Sequence, residues 1–259
     1  MSSSFGTLYL VPTPLDFGIS GPAPDLQDVL PLGVIRRAAA LDFWVAENAK
    51  TARAFLKRVD AVVPLASPLQ NLHIVELPRA QKGSPKVAPQ TPAPDLAALL
   101  KPALEGHDLG LVSEAGLPAV ADPGSALVQA AHSQRIRVIT LPGASSLLLA
   151  LAASGLNGQS FAFVGYLPVE AAARASRIRE LEALSRRSAQ TQSMIETPYR
   201  NQALFDALLS HLQANTRVSV SCGLTLASGY TRTDTVAAWK ARPSALPGDV
   251  PVVFSLLAG

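Results

Sequence analysis

The sequence predicts an α/β protein of two domains, with a mainly parallel sheet in the first and a mixed sheet in the second. Three observations carry that reading. In the first half, short apolar runs alternate with helical patterns, as parallel strands joined by crossover helices would. A turn-rich break, Gly155-Leu156-Asn157-Gly158, suits a domain boundary and gives domains 1–156 and 157–259. Beyond it, the last three apolar runs share one short helical stretch near Ala237–Lys240, too little for an all-parallel sheet.

Taken in order, Thr7–Val11 reads as the first strand and Phe43–Ala46 as the second, followed by an amphipathic helix over Asn48–Val59. His73–Leu77, Leu109–Ser113 and Val138–Leu141 are the remaining strands of this half. Helices are expected at Asp95–Glu105, Ser125–Gln134 and Ser145–Ala153. Before the second of these, Asp122 is placed to cap the amino end and Pro123 to take the first helical position, where no N–H is needed. Asp16–Pro31, with Pro22, Pro24 and Pro31, reads as an irregular loop. Pro78–Pro94, rich in proline and carrying Arg79, Lys82 and Lys86, is the best candidate for a mobile surface loop. In the second half Phe161–Gly165, Gln192–Ile195, Arg217–Cys222, Tyr230–Val236 and Val250–Leu257 read as strands, and Arg174–Leu184 and Arg200–Leu212 as helices.

Composition narrows the function classes. Hydrophobic residues make up 48% of the 259 residues, ample for buried cores, and charged residues 16%. The latter lies below the roughly 25% of ordinary domains, which argues against a disordered, charge-driven scaffold. The longest apolar run, Leu147–Ala153, falls far short of the roughly 20 residues that cross a bilayer. MSSSFGTLYLVPTP has no basic leader and does not read as a secretion signal. Cys222 is the single cysteine, so an internal disulfide and a cysteine-based zinc cluster are excluded. His73, His107, His132 and His211 are dispersed without metal-ligand spacing, so no metal is expected. The expected protein is cytoplasmic and has no membrane segment. A net charge of +3 with no dense basic stripe permits a nucleic-acid partner without requiring one.

Three segments carry chemistry. In LVSEAGLPAVADPG, Leu111 to Gly124, a buried strand runs into a loop and then a helix. Ligands of open α/β sheets settle at such strand ends. Gly116 lets backbone approach a ligand closely, and exposed N–H groups there could hold a carboxylate. The same pattern is also that of a tight turn with a capped helix. In LPGASSLLLALAASGL, Leu141 to Leu156, small residues begin a helix and leave room for a flat ring, although a buried helix would look alike. In GTLYLVPTPLD, Gly6 to Asp16, Pro12 and Pro14 stiffen the first strand's end. No dinucleotide fingerprint occurs, which counts against a nicotinamide oxidoreductase.

Together these segments resemble the tetrapyrrole methylase superfamily, the class III S-adenosylmethionine-dependent methyltransferases. The closest branch is that of the small-subunit ribosomal RNA cytidine 2′-O-methyltransferases. GTLYLVPTP, VSEAGLPAVADPG, PGASS, FAFVGYLP at Phe161 and IETPYR at Ile195 follow that branch's motifs in order. The resemblance implies two α/β domains with S-adenosyl-L-methionine in the cleft between them, commonly in a homodimer. By motif, Pro12 lies near the cofactor. Ser113, Glu114, Ala115, Gly116 and Pro118 line its methionine and ribose side, with Ala121 and Asp122 close by. Ala144 and Ser145 supply backbone contacts. Leu224 and Thr225 match a later L-T pair, and Pro251 and Val252 close over the adenine.

The departures are as specific. The branch's A-R-E-L-T reads SCGLT, so Cys222 and Gly223 replace an arginine and a glutamate. Its A-E-D-T-R-x-T-R reads AENAKTAR, keeping Glu47 and Arg53. Its histidine-rich segment is replaced by ELPRAQKGSPK, and a carboxy-terminal extension found in part of the branch is absent from these residues. The cofactor half matches better than the substrate half.

Methyl transfer from a sulfonium is an in-line displacement that chiefly needs alignment, with a general base where the acceptor is an oxygen. Glu47 and Glu196, each ending a predicted strand, are the carboxylates to test as catalytic base. Glu47 reads equally as a helix amino-terminal charge, worth up to about 1 kcal/mol. Glu196 reads rather more readily as the hydrogen-bond acceptor that holds the Thr197-Pro198-Tyr199 turn. Tyr166 and Tyr199 are candidates to stack on a base or macrocycle, and Arg53 and Arg200 to contact phosphate or carboxylate. The expected activity is methylation of RNA. The alternatives are methylation of a small molecule, such as a tetrapyrrole or another heterocycle, and a non-catalytic protein that binds S-adenosylmethionine.

Overall fold

The structure is a computed structural model and describes residues 5–16, 23–78 and 96–259. The described residues form two compact units, one running to Ala144 and the other from Ser145 to Gly259.

The first unit is built on β1 (Thr7–Leu10), β2 (Phe43–Ala46), β3 (His73–Glu76), β4 (Leu109–Val112) and β5 (Arg137–Thr140). They form one parallel sheet in the order β3-β2-β4-β1-β5. A parallel sheet needs crossovers and is covered on both faces, and the strand sequences are apolar at successive positions for that reason. Tyr9, Val11, Trp44, Ala46 and Val112 face one core, while Leu8, Leu10, Val45, Leu109 and Leu111 face the other. Over the first face lie α1 (Leu26–Val29), α2 (Leu32–Ala39) and α3 (Ala49–Asp60). Helix α3 buries Ala52, Phe55, Leu56 and Val59, the spacing of a single helical stripe. Each large apolar side chain buried there contributes about 1.5–3 kcal/mol. Over the second face lie α4 (Leu96–Leu104) and α5 (Ser125–Ser133). Gly110 is required by packing: a Cβ there would meet the Trp44 ring at 2.5 Å, and Trp44 Nε1 donates to Leu41 O at 3.0 Å.

This order places a switch point between β1 and β4. The chain leaving β1 goes to helices over one face, and the chain leaving β4 goes to α5 over the other. The two loops diverge at the carboxyl ends of neighbouring strands, where open α/β sheets bind ligands.

The second unit comprises α6 (Ser146–Ser154), β6 (Phe161–Phe163), α7 (Ala171–Ser188), β7 (Thr191–Glu196), α8 (Asn201–His211), β8 (Arg217–Cys222), β9 (Tyr230–Thr235), α9 (Val236–Ala241) and β10 (Val252–Leu257). Its sheet has the order β6-β7-β10-β8-β9; β6 and β7 are parallel and the other pairs antiparallel. The sheet is therefore mixed, as the sparse helical pattern of this half predicts. Its faces differ in character. Met194, Val218, Val220, Phe254 and Leu256 pack into a core with α7, α8 and α9. The opposite face presents Ser193, Ser219, Ser221, Ser255, Thr231 and Thr233. Ser193 and Ser255 share a hydrogen bond at 2.8 Å, and Thr233 Oγ1 donates to Ser154 O at 2.8 Å. Small hydroxyls thereby bring α6 onto β8, β9 and β10.

Three differences from expectation have physical causes. The unit division lies ahead of the Gly155–Gly158 turn because α6 packs on the second sheet. Leu26–Val29 and Leu32–Ala39 are helical where the sequence read as a loop or carried no assignment. Pro31 hides the start of α2, but its missing N–H costs nothing there. Helix α5 begins at Ser125 with Gly124 (φ 127°) before it and no side-chain cap, so Asp122 does not cap it. Of the expected Pro78–Pro94 loop, all but Pro78 lies outside the described residues, with Arg79, Lys82 and Lys86.

Candidate functional site

Because every strand of the first sheet runs the same way, the predicted residues that follow β1, β2, β4 and β5 gather at one edge. Thr13 and Gly116 exchange two backbone hydrogen bonds, Thr13 N–H to Gly116 O at 3.0 Å and Gly116 N–H to Thr13 O at 3.1 Å. The Gly116 N–H is thus engaged in tying the two diverging loops together and is not one of the exposed N–H groups of this turn. A Cβ on Gly116 would sit 3.4 Å from Ala144 O, with φ at +77°. A Cβ on Gly143 would overlap the Pro12 ring. Pro12, Ser113, Gly116 and Pro118 are buried, and Ala115 and Ala144 half-buried. Thr13 and Gly143 are the two residues that sequence reasoning passed over, although both lie inside the quoted motifs. The loop that follows is strained: Ala119 and Ala121 both have positive φ, 66° and 63°. Such strain is concentrated at functional loops, where the surrounding structure must impose it.

Carboxylates collect at the same edge. Glu47 follows β2, and its Oε2 accepts the Glu114 N–H at 3.1 Å. The amino end of α3 is capped instead by Asn48 Oδ1, which takes Lys50 N–H at 2.9 Å, and by Glu76 Oε1, which takes Ala49 N–H at 2.8 Å. Asp122 is half-buried nearby. Its pKa is raised from 3.8 to about 6, first by burial, then by the negative charges of Glu47 and Glu114, while the Ser113 hydroxyl pulls it down. Ser113 Oγ is buried, and beyond its interaction with Asp122 it has no hydrogen-bond partner among the described residues.

The second unit brings together two further sets. At the end of β8, Gly223 N–H donates to Pro251 O at 3.1 Å, and Cys222 pairs with Val252 across the ladder. Leu224, Thr225, Pro251 and Val252 are therefore neighbours, although Thr225 holds φ at 70°, an outlier for a β-branched residue. Gly223 has φ 58°, and its Cβ would approach Val250 at 3.1 Å, so the glutamate of the related motif would be strained here. Burial and Asp249 raise the Cys222 thiol's pKa, which keeps it neutral and unreactive. Ser145 is buried just before α6 and makes no cap bond.

The other set surrounds Glu196. Its Oε1 accepts from Thr197 N–H at 2.7 Å, Thr197 Oγ1 at 3.3 Å and the Arg200 guanidinium at 2.7 Å, and its side chain is only 4% exposed. Glu196 therefore holds the Thr197-Pro198-Tyr199 turn. Arg200, its pKa raised by Glu196, also lies 5.2 Å from the Tyr199 ring centre and interacts with Tyr166. Tyr166 and Tyr199 are exposed by 57% and 75%. Three of the four substrate candidates thus converge. Arg53 belongs to the first unit, exposed on α3 with NH1 3.5 Å from Ala49 O.

The resemblance can now be set against known proteins. Residues 49–238 match the tetrapyrrole (corrin/porphyrin) methylase family. Ribosomal RNA small subunit methyltransferase I of Streptococcus pyogenes is 34% identical over 195 residues, 75% of this chain and 57% of that protein. The protein of the same name from Halalkalibacterium halodurans is 32% identical over 220 residues, 85% of this chain and 65% of that protein. The chain thus spans only 57–65% of the length of these two relatives. The crystal structure of the methyltransferase CobJ superposes with a TM-score of 0.56 over 98% of this chain and 95% of that one. At 15% identity, that likeness is one of fold. Family match, relatives and fold agree, and the chain belongs to the tetrapyrrole methylases.

Proposed function

We propose that the protein is an S-adenosylmethionine-dependent methyltransferase acting on RNA, with the methyl donor bound at the β1, β4 and β5 tips. The observation that carries this is the meeting of Pro12, Ser113–Gly116 and Gly143-Ala144 at one edge of the first sheet. The residues present fit such a donor. Gly143 and Ala144 carry little or no side chain, and Ser113 Oγ makes no hydrogen bond among the described residues beyond its interaction with Asp122. When bound, S-adenosylmethionine supplies an electrophilic methyl carbon with a neutral leaving group. The chain's own work is to fix the strand tips rigidly, which the paired Thr13–Gly116 bonds do, and so align donor and acceptor. That Leu224, Thr225, Pro251 and Val252 join the adenine side is carried by the motif match alone.

RNA as acceptor is supported by the names of the two relatives and by the Tyr166, Tyr199 and Arg200 group. Exposed aromatic rings beside a guanidinium suit unstacked bases, each worth about 1–3 kcal/mol on stacking. Glu196, saturated by three donors, is better suited to holding Arg200 in place than to taking a proton. The homodimer belongs to the same proposal and is read by light scattering. Purified protein with labelled S-adenosylmethionine should label RNA from cells lacking the enzyme. Label appearing only in a small-molecule fraction would favour the tetrapyrrole or other heterocycle reading, and no turnover would leave a binding protein.

A further inference from the structure

The charge of the molecule is unevenly shared. Residues 145–259 carry ten Lys and Arg against seven Asp and Glu, while residues 1–144 carry twelve of each, so the whole net charge of +3 belongs to the second half. The two most exposed rings of that half, Tyr166 and Tyr199, stand at the carboxyl ends of the parallel strands β6 and β7. Gly165 O accepts the Ile195 N–H at 3.2 Å, so Tyr166 and Glu196 leave the two strands side by side. The turn after Glu196 is tightly made. Pro198 begins it, Arg200 N–H donates to Thr197 O at 2.9 Å, and Glu196 Oε1 takes the Arg200 guanidinium at 2.7 Å. The same guanidinium lies 5.2 Å from the Tyr199 ring centre, within the roughly 6 Å of a cation–π contact. An aromatic ring has two faces. Arg200 takes one of them, and Tyr199 is still 75% exposed.

We propose that the open face of Tyr199 is a stacking platform for one unpaired base of the RNA acceptor, with Tyr166 beside it, and that Glu196 is the positioning residue that keeps Arg200 against the ring. This rests on the reading of the protein as an RNA methyltransferase and adds what the RNA must offer, a nucleotide out of its duplex. A ring standing so far out suits a base splayed from a strand, which brings its own backbone, better than a small molecule that a cavity must enclose. Stacking accepts any base, since each has a π-face. The platform therefore selects strandedness and not sequence. Arg200, its charge offset by the Glu196 carboxylate, acts on the ring more than on a phosphate. The remaining positive charge of residues 145–259 supplies the salt-dependent attraction to the backbone.

The test is fluorescence anisotropy on the full chain with labelled RNA of one length, offered as a single strand, as the same strand in a duplex, and as an abasic strand that keeps the phosphates. The single strand should bind more tightly than the other two. Tyr199→Ala should weaken it about tenfold while leaving the slope against salt and the abasic strand unchanged, and Tyr199→Phe should bind as the parent does. Glu196→Gln keeps an acceptor for Thr197 N–H but loosens the guanidinium. It should weaken the single strand in the parent and cause no further loss in Tyr199→Ala, a coupling that a general loss of stability would not give. The proposal is overturned if duplex or abasic RNA binds as tightly as the single strand, or if Tyr199→Ala weakens a porphyrin probe and not RNA. It is equally overturned if Glu196→Gln has no effect, acts alike in both backgrounds, or tightens binding with a steeper salt slope, which would make Arg200 a phosphate contact. Tight RNA binding indifferent to Tyr199 removes the platform alone. Failure of the parent to bind any RNA removes the RNA reading with it.

Discussion

Two carboxylates, Asp122 in the loop between β4 and α5 and Glu196 at the end of β7, meet opposite fates. Glu196 is nearly fully buried yet saturated, with three donors including the Arg200 guanidinium. Asp122 faces fewer donors: burial first, and then the negative charges of Glu47 and Glu114, raise its proton affinity. The first pattern is that of a structural group whose charge is spent inside the protein. The second is that of a group whose charged form its surroundings disfavour. Burial alone does not separate the two, since the carboxylate with the 4% exposed side chain is the one surrounded by three donors.

That contrast can be broken from either side. The largest effect is expected from Glu196→Ala, which leaves a guanidinium and a turn N–H without their acceptor; unfolding in urea should show a loss of about 3 kcal/mol. Gly116→Ala forces a side chain to φ +77° and against Leu15, and the same measurement should show a loss of about 1–2 kcal/mol. Asp122 gives a pH signature. It titrates near 6 when folded and near 3.8 when unfolded, so the folded state holds more protons between those values. Stability should therefore fall as the pH rises through that window, and Asp122→Asn should remove the fall, read as Tm between about pH 4 and about pH 7. The smallest effect is expected from Thr225→Gly, where relief of left-handed strain slightly exceeds the added chain entropy, a gain of about 0.5 kcal/mol in thermal unfolding.

Local pattern made the first sheet legible. β2 and its helix follow from an apolar run and a 3.6-residue stripe, and both appear within a residue of their expected ends. What failed depended on contacts distant in sequence or on backbone geometry. Helix α6 reads identically whichever sheet it covers, and only the serine-rich face of the second sheet reveals its partner. Asp122 looks like a cap until Gly124, at φ 127°, is seen to delay the helix. The site was legible as motifs around Pro12, Ser113 and Ala144, but the use of Gly116 N–H by Thr13 was not. Nor was the bond from Glu114 N–H to Glu47, which joins residues 67 positions apart.

The most direct test of the central claim is amide hydrogen exchange on the full chain with and without saturating S-adenosylhomocysteine, which cannot transfer a methyl group. Slower exchange in peptides covering Ser113–Gly116 and Leu141–Ala144 is the predicted result. Binding that leaves both segments unchanged and protects residues elsewhere would contradict it.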